Sequence, residues 1–251
     1  MHGRARDRLR RSHAYFEQFP ALRLIALVIL SDNMANQERL TERLMSIVLA
    51  IIGSPRGARS VSSSMSNAFL DEYRNANPGD EIRRINVFER PLPEFGDVHA
   101  EAKFARIFGR EQTAEEVVVW KQVRDEITYF DEADKVVLSC PMWNFSIPWK
   151  LKQYFDVISQ PGITFGYDPA RMVHIGLLRN RPVQLLLSRS STMPGDFTDF
   201  QLPYLRFMFG FMGLNDVRAH VAWQTTKFSE KDREEYRLHQ MDVARAASKT
   251  F

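Results

Sequence analysis

From Met45 onward the chain alternates two hydrophobic rhythms: short unbroken apolar runs, and longer stretches in which apolar residues return every three or four positions. The run "MSIVLAIIG" (45–53) has no polar alternation and ends in glycine, the pattern of a strand covered on both faces of a parallel sheet. "SVSSSMSNAFLDEYRNA" (60–76) then sets Val61, Met65, Ala68, Phe69 and Tyr73 at helical spacing, and "NPGD" turns the chain into a second strand, "EIRRINVFE" (81–89). "PLPEFGD" (91–97) reads as a loop, "AEAKFARIFG" (100–109) and "AEEVVVWKQVRDEITYFDEA" (114–133) as helices, and "KVVLS" (135–139) as the third strand. In "WKLKQYFDVIS" (149–159) a helix is expected to bury Trp149 together with Leu151, Tyr154 and Phe155, while "PGITFGYDPARMVHIG" (161–176) is irregular or a small hairpin. "RPVQLLLS" (181–188) is a fourth strand, "FTDFQLPYLRFMFGFMG" (197–213) an aromatic-rich helix, "NDVRAHVAW" (215–223) a fifth strand, and "SEKDREEYRLHQMDVARAAS" (229–248) a closing helix.

Five strands separated by helices, with no internal repeat, predict an α/β fold: a doubly wound five-stranded parallel sheet of the flavodoxin-like order 2-1-3-4-5. One domain over residues 45–251 suffices. Residues 1–44 read differently, with an Arg-rich start and the run "ALRLIALVIL" interrupted by Arg23. That run is too short to span a bilayer and no small-x-small cleavage pattern follows it, so this part is expected to be a poorly ordered extension.

The net charge is +3, but residues 1–44 hold eight Arg against five acids, which accounts for the whole excess. The body is balanced and shows no basic stripe, which argues against a nucleic-acid partner. Cys140 is the single cysteine, which excludes an internal disulfide and a multi-cysteine zinc site and fits a reducing, cytoplasmic compartment. The six histidines lack HxxxH spacing, so no metal site is expected.

In the predicted topology the loops after the first, third and fourth sheet strands meet at one edge, where open α/β sheets take their ligands. "GSPRGARSVSS" leads into a helix start with hydroxyls at Ser54, Ser60 and Ser62, an arrangement of donors suited to a phosphate. It lacks the lysine and spacing of a nucleoside-triphosphate loop, and Ser60 by itself reads equally as a helix cap. "CPMWNFS" follows a buried strand with Met142, Trp143 and Phe145, a flat apolar wall, plus the amide of Asn144. In "SRSST", Ser188, Arg189, Ser190 and Ser191 can meet a polar ring edge, or form an ordinary strand exit with a solvated Arg. A CxxxxxR phosphatase loop would need arginine where Ser146 stands, and Ser54 lies in no GxSxG elbow.

With the three loops together, "PMWNFSIPWKLKQYFD" followed by "GITFGY" resembles the FMN-dependent NADH azoreductases, a quinone reductase family, from Met45 to the C-terminus. The resemblance implies that Met142, Trp143, Asn144 and Phe145 contact the isoalloxazine and that Ser54, Ser60, Val61 and Ser62 hold the FMN phosphate. It implies ping-pong chemistry in which NADH or NADPH reduces the flavin and leaves, and a quinone or azo acceptor takes the same space, without a protein general acid. It also implies a homodimer in which Phe211 lines the substrate space over the other subunit's flavin. "SRSS" departs from the family's Ser-Arg-Gly-Gly at Ser190 and Ser191, and Trp143 stands where the family has tyrosine. Two other readings of the same residues are a flavodoxin-like electron carrier with no NADH site and a flavin-free interaction module.

Overall fold

The computed structural model describes residues 45–191, 193–226 and 229–251. The predicted extension, residues 1–44, lies outside them. Strands β1 (Ile47–Ile52), β2 (Glu81–Asn86), β3 (Lys135–Pro141), β6 (Val183–Ser188) and β7 (Val217–Ala222) form one parallel sheet in the order β2-β1-β3-β6-β7, the flavodoxin-like order expected. The three central strands are the ones with unbroken apolar runs, because both of their faces are covered. The charged β2 and the mixed β7 sit at the edges, where Arg83 on β2 pairs with Glu81 and Glu132 in water-facing positions.

Alternation along β1 sends its side chains into two cores. Val48 and Ala50 pack with Met65, Phe69 and Tyr73 of helix α1 (Val61–Ala76) and Ala244 of α6 (Glu230–Ser248). Ile47, Leu49 and Ile51 face the opposite layer, built from α2 (Asp97–Phe108), α3 (Ala114–Asp131), α4 (Trp149–Ile158) and α5 (Leu202–Met212). Helix α3 starts in a reciprocal capping box between Thr113 and Glu116. Residues 161–176 contain the small hairpin, with β4 (Phe165–Asp168) antiparallel to β5 (Val173–Gly176). No helix among the described residues is long and apolar enough to cross a membrane.

Several boundaries differ from the hydrophobic pattern. β2 stops at Asn86 because the Asn86 side chain and carbonyl capture the backbone N–H groups of Phe88, Glu89 and Arg90. Helix α2 begins at Asp97, ahead of the expected Ala100, and β3 runs on to Pro141 by pairing with Ser188. The aromatic-rich helix begins only at Leu202, since Asp199 binds the backbone N–H groups of Gln201 and Leu202 and holds 197–201 in turns. Trp149, expected in the buried face of α4, is 61% exposed and rests edge-on against Phe88.

Candidate functional site

The register Ile52↔Ser139, Pro141↔Ser188 and Ser188↔Ala222 lines up the exits of β1, β3, β6 and β7 along one edge of the sheet. Short bonds then tie the exits together: Gly53 N–H to Ser139 O at 2.7 Å, Met142 N–H to Ser188 O at 2.7 Å, and Arg189 N–H to Ala222 O at 2.9 Å. Gly53 is required at the first of these contacts. A Cβ there would lie 2.9 Å from Cys140 Cβ and 3.1 Å from a Leu151 methyl.

In the loop after β1, Ser54, Ser60 and Ser62 are buried and Val61 half-buried. Ser60 occupies the cap position of α1, yet its hydroxyl makes no capping bond and meets the Ser62 hydroxyl at 3.0 Å instead. Among the described residues the N–H groups of Val61, Ser62 and Ser63 have no acceptor, and Ser63 Oγ is buried without a partner. The first turn of α1 carries no acidic residue. Backbone donors without acceptors, hydroxyls turned away from the helix and the positive end of a sixteen-residue helix dipole suit an anion of phosphate chemistry.

The loop after β3 is a tight two-residue turn. Trp143 and Ser146 exchange both backbone hydrogen bonds at 3.0 Å, with Asn144 (φ 46°) and Phe145 (φ 69°) between them, both left-handed. Asparagine tolerates this conformation, whereas in phenylalanine it costs ~1–2 kcal/mol. Such turns ordinarily place glycine second, so backbone strain is stored where the sequence expected ligand contact. Trp143, Asn144 and Phe145 all face solvent, Phe145 at 53%, and Met142 is half-buried. Phe88, from the loop after β2, backs the Trp143 indole at a centroid distance of 5.8 Å. The sequence placed Phe88 in the second strand and not in the candidate site.

The loop after β6 differs from expectation in one respect. Arg189 is not solvated: its guanidinium is fully buried and forms an ion pair with Asp199 at 2.7 Å. What the loop offers a ligand is therefore the backbone and hydroxyls of Ser188, which is buried, and of Ser190 and Ser191, which are exposed. Neither Ser190 nor Ser191 adopts a positive φ, so their replacement of the glycine pair imposes no left-handed strain here. Asp199 escaped the sequence reading, although an aspartate shortly before a helix is itself a capping signal. Burial pushes its carboxyl up, but the Arg189 guanidinium and the N–H groups of Leu202 and Gly195 outweigh burial and hold it below the usual carboxylate value. Burial also pushes the Cys140 thiol up to about 12, with Gln201 and Arg189 pulling back only part of the way. Cys140 is thus a packing residue at the base of the site, not a thiolate.

Phe211 does not join these loops within one chain. It lies near the far end of α5, ten residues and thus ~15 Å along the helix from Gln201. There it packs on Phe165 at 4.4 Å and on His174 and Phe207, in an aromatic face shared with the hairpin.

Comparison with known proteins bears on the family and the fold. Residues 46–245 match the family described as having a flavodoxin-like fold. An FMN-dependent NADH:quinone oxidoreductase of Nitratidesulfovibrio vulgaris is 38% identical over 211 residues, covering 82% of this chain and 100% of that protein. FMN-dependent NADH:quinone oxidoreductase 9 of Burkholderia lata is 35% identical over 214 residues, with 82% and 100% covered. Among solved structures, an azoreductase from Bacillus anthracis superposes with a TM-score of 0.74 at 28% identity, over 82% of this chain and 100% of its own. An FMN-dependent NADH-azoreductase of the same species, solved in complex with FMN, gives 0.73 at 25% identity, over 82% and 99%.

Proposed function

Given that this chain belongs to the flavodoxin-like family of FMN-dependent NADH:quinone oxidoreductases, we propose that its serine-lined helix start and its aromatic turn hold FMN between them. The protein is an FMN-dependent NAD(P)H oxidoreductase of quinones and azo compounds. The observation that carries the site assignment is the start of α1, where Ser60 and Ser62 keep their hydroxyls off the helix and three N–H groups lack acceptors. A phosphate monoester satisfies all of them without a metal ion.

When bound, FMN supplies the two-electron redox chemistry that these side chains lack. Ser54, Ser60, Val61 and Ser62 hold its phosphate. Met142, Trp143, Asn144 and Phe145 supply the apolar wall and amide for the ring, and Ser188 to Ser191 supply polar groups at its edge. The exposed rings of Trp143 and Phe145 also exclude water from the space that NADH or NADPH and then the acceptor occupy in turn. No side chain of the site is set to move a proton: Cys140 is held as a thiol and Arg189 is paired, so solvent supplies the protons. The active form is a homodimer in which Phe211 reaches the other subunit's site. The aromatic face of Phe207, Phe211, His174 and Tyr167, with Phe207 and Tyr167 exposed, supports that reading. The lone reduced cysteine supports a cytoplasmic location.

The test is the visible spectrum of the purified protein under anaerobic NADH. Flavin bands that bleach and then return on adding a quinone are expected; bands that persist with NADH would point to an electron carrier instead. For the phosphate site, replacing Ser54, Ser60 and Ser62 together by Ala removes hydrogen bonds to a charged group worth ~1.5–3 kcal/mol apiece, about tenfold or more for each, so FMN affinity should fall by about a thousandfold or more. Unchanged affinity would refute the assignment.

A further inference from the structure

The Arg189–Asp199 pair has side chains 0% and 1% exposed. Burying two charges costs several kcal/mol, and their mutual attraction offsets that only when geometry and hydrogen bonding are both good. Here they are not fully so: Nε, Nη1 and Nη2 of Arg189 are buried without a well-directed hydrogen bond among the described residues. A pair of this kind is poorly explained by stability alone, and its contacts give it a positional task.

The Asp199 carboxylate gathers the segment ahead of α5. One oxygen takes the Arg189 guanidinium and the Gly195 N–H at 3.3 Å; the other takes the N–H groups of Gln201 and Leu202, each at 3.1 Å. Between these points Phe200 directs its N–H to Phe145 O at 3.0 Å, shared with Thr198 O at 3.1 Å. Gln201 reaches back to the Cys140 carbonyl at 3.3 Å. The other end is tied to β7 and the loop after it: Arg189 N–H reaches Ala222 O at 2.9 Å, and Arg189 O accepts both the N–H and the hydroxyl of Thr225 at 3.2 Å. Contacts therefore run unbroken from the loop after β7, through Arg189, Asp199 and Phe200, to Phe145. Among the described residues the Phe200 N–H is the only hydrogen-bond donor that reaches the Trp143–Ser146 turn from outside it. That turn holds a phenylalanine in a left-handed conformation that it does not favour.

We propose that the buried Arg189–Asp199 pair is a latch: through Phe200 it holds the strained Asn144–Phe145 turn in the conformation that presents its rings to the flavin. Both residues are positioning residues, and the presentation of the turn to flavin rests on the FMN reading above. The latch itself does not, and the two are separable by experiment.

The test is hydrogen–deuterium exchange of the full-length protein, comparing the parent with an Arg189→Met/Asp199→Leu double variant that removes both charges at similar volume. The amides of Trp143 and Ser146 should exchange about tenfold faster in the double variant, while peptides from β1 and β3 keep their protection. Repeating the pair of measurements on a Phe145→Gly background should abolish the difference, because glycine holds a left-handed conformation unaided. Unchanged protection, or equal acceleration on both backgrounds, would overturn the latch. If the double variant loses protection in β1 and β3 as well, Phe200→Pro decides instead: it leaves Arg189 and Asp199 in place, removes the N–H shared between Phe145 O and Thr198 O together with an exposed ring, and should accelerate the same two amides; failure to do so overturns the proposal. A fluorescence titration with FMN runs alongside, with affinity expected to fall about fivefold in the double variant. A parent that binds no FMN would sink the flavin reading and leave the latch to be judged by exchange.

Discussion

Gly53→Ala tests whether the floor of the site is as tight as the geometry implies. The added methyl carbon would lie 2.9 Å from Cys140 Cβ, 3.1 Å from Leu151 Cδ2 and 3.3 Å from Ser139 O. The first of these atoms belongs to a side chain fixed at the end of β3 and cannot swing aside, so β1 and β3 must separate where Gly53 N–H meets Ser139 O. Overpacking of this size costs about 1–3 kcal/mol. For a domain of this length each kcal/mol moves the melting temperature by roughly 2–4 °C, so a drop of roughly 2–12 °C is expected. The same displacement parts the serine loop from the aromatic turn, so FMN affinity should fall together with stability. Thermal melts followed by circular dichroism and an FMN titration read both effects. On a Cys140→Gly background the nearest remaining atom is the Leu151 methyl, the end of a flexible side chain, and the increment caused by Gly53→Ala should shrink by at least about half. A Gly53→Ala protein that melts within about 1 °C of the parent and binds FMN equally well would show that β1 and β3 do not close as described.

Two further outcomes follow from protonation. With the Cys140 thiol pushed from its ordinary 9.0 to about 12 by burial, native protein at pH 8 should react with iodoacetamide at least about a hundredfold more slowly than protein unfolded in urea, and equal rates would refute its burial. Asp199 titrates below its ordinary 3.8 in the folded state, so the unfolded chain binds its proton first as pH falls. Its contribution is present in full above about pH 5 and lost as pH drops through the folded value. Urea melts at pH 6, 4 and 3 should show the parent's advantage over Asp199→Asn shrinking with acidity, and an advantage independent of pH would refute the ion pair.

The candidate site was legible in the sequence to the extent that residue type carries the chemistry. A glycine ending an apolar run, serines at a helix start and aromatics leaving a buried strand each restrict what a strand exit can do, whatever surrounds it. Torsions and partners were not legible. Nothing in "MWNFS" says that Phe145 lies at a positive φ, because phenylalanine avoids that region unless something outside the turn holds it there. Nothing in "SRSS" says that Arg189 is buried, because its partner stands ten residues away and an unpaired arginine would face water. Trp149 misled for the opposite reason: its spacing fits the buried face of α4, but it sits in the first turn, beyond the rim of the layer.

What the sequence determined by itself is the order and type of the elements and, from them, the doubly wound sheet. A strand buried on both faces must be apolar throughout and an amphipathic helix must repeat near 3.6 residues, so both leave a local record in the chain. Tertiary structure alone decided how the exits of β1, β3, β6 and β7 lock together. It set Gly53 against Cys140, Phe88 behind Trp143, and Arg189 against Asp199. These are contacts between segments that the fold brings to one edge, and their energies depend on distance and burial, which no periodicity along the chain records.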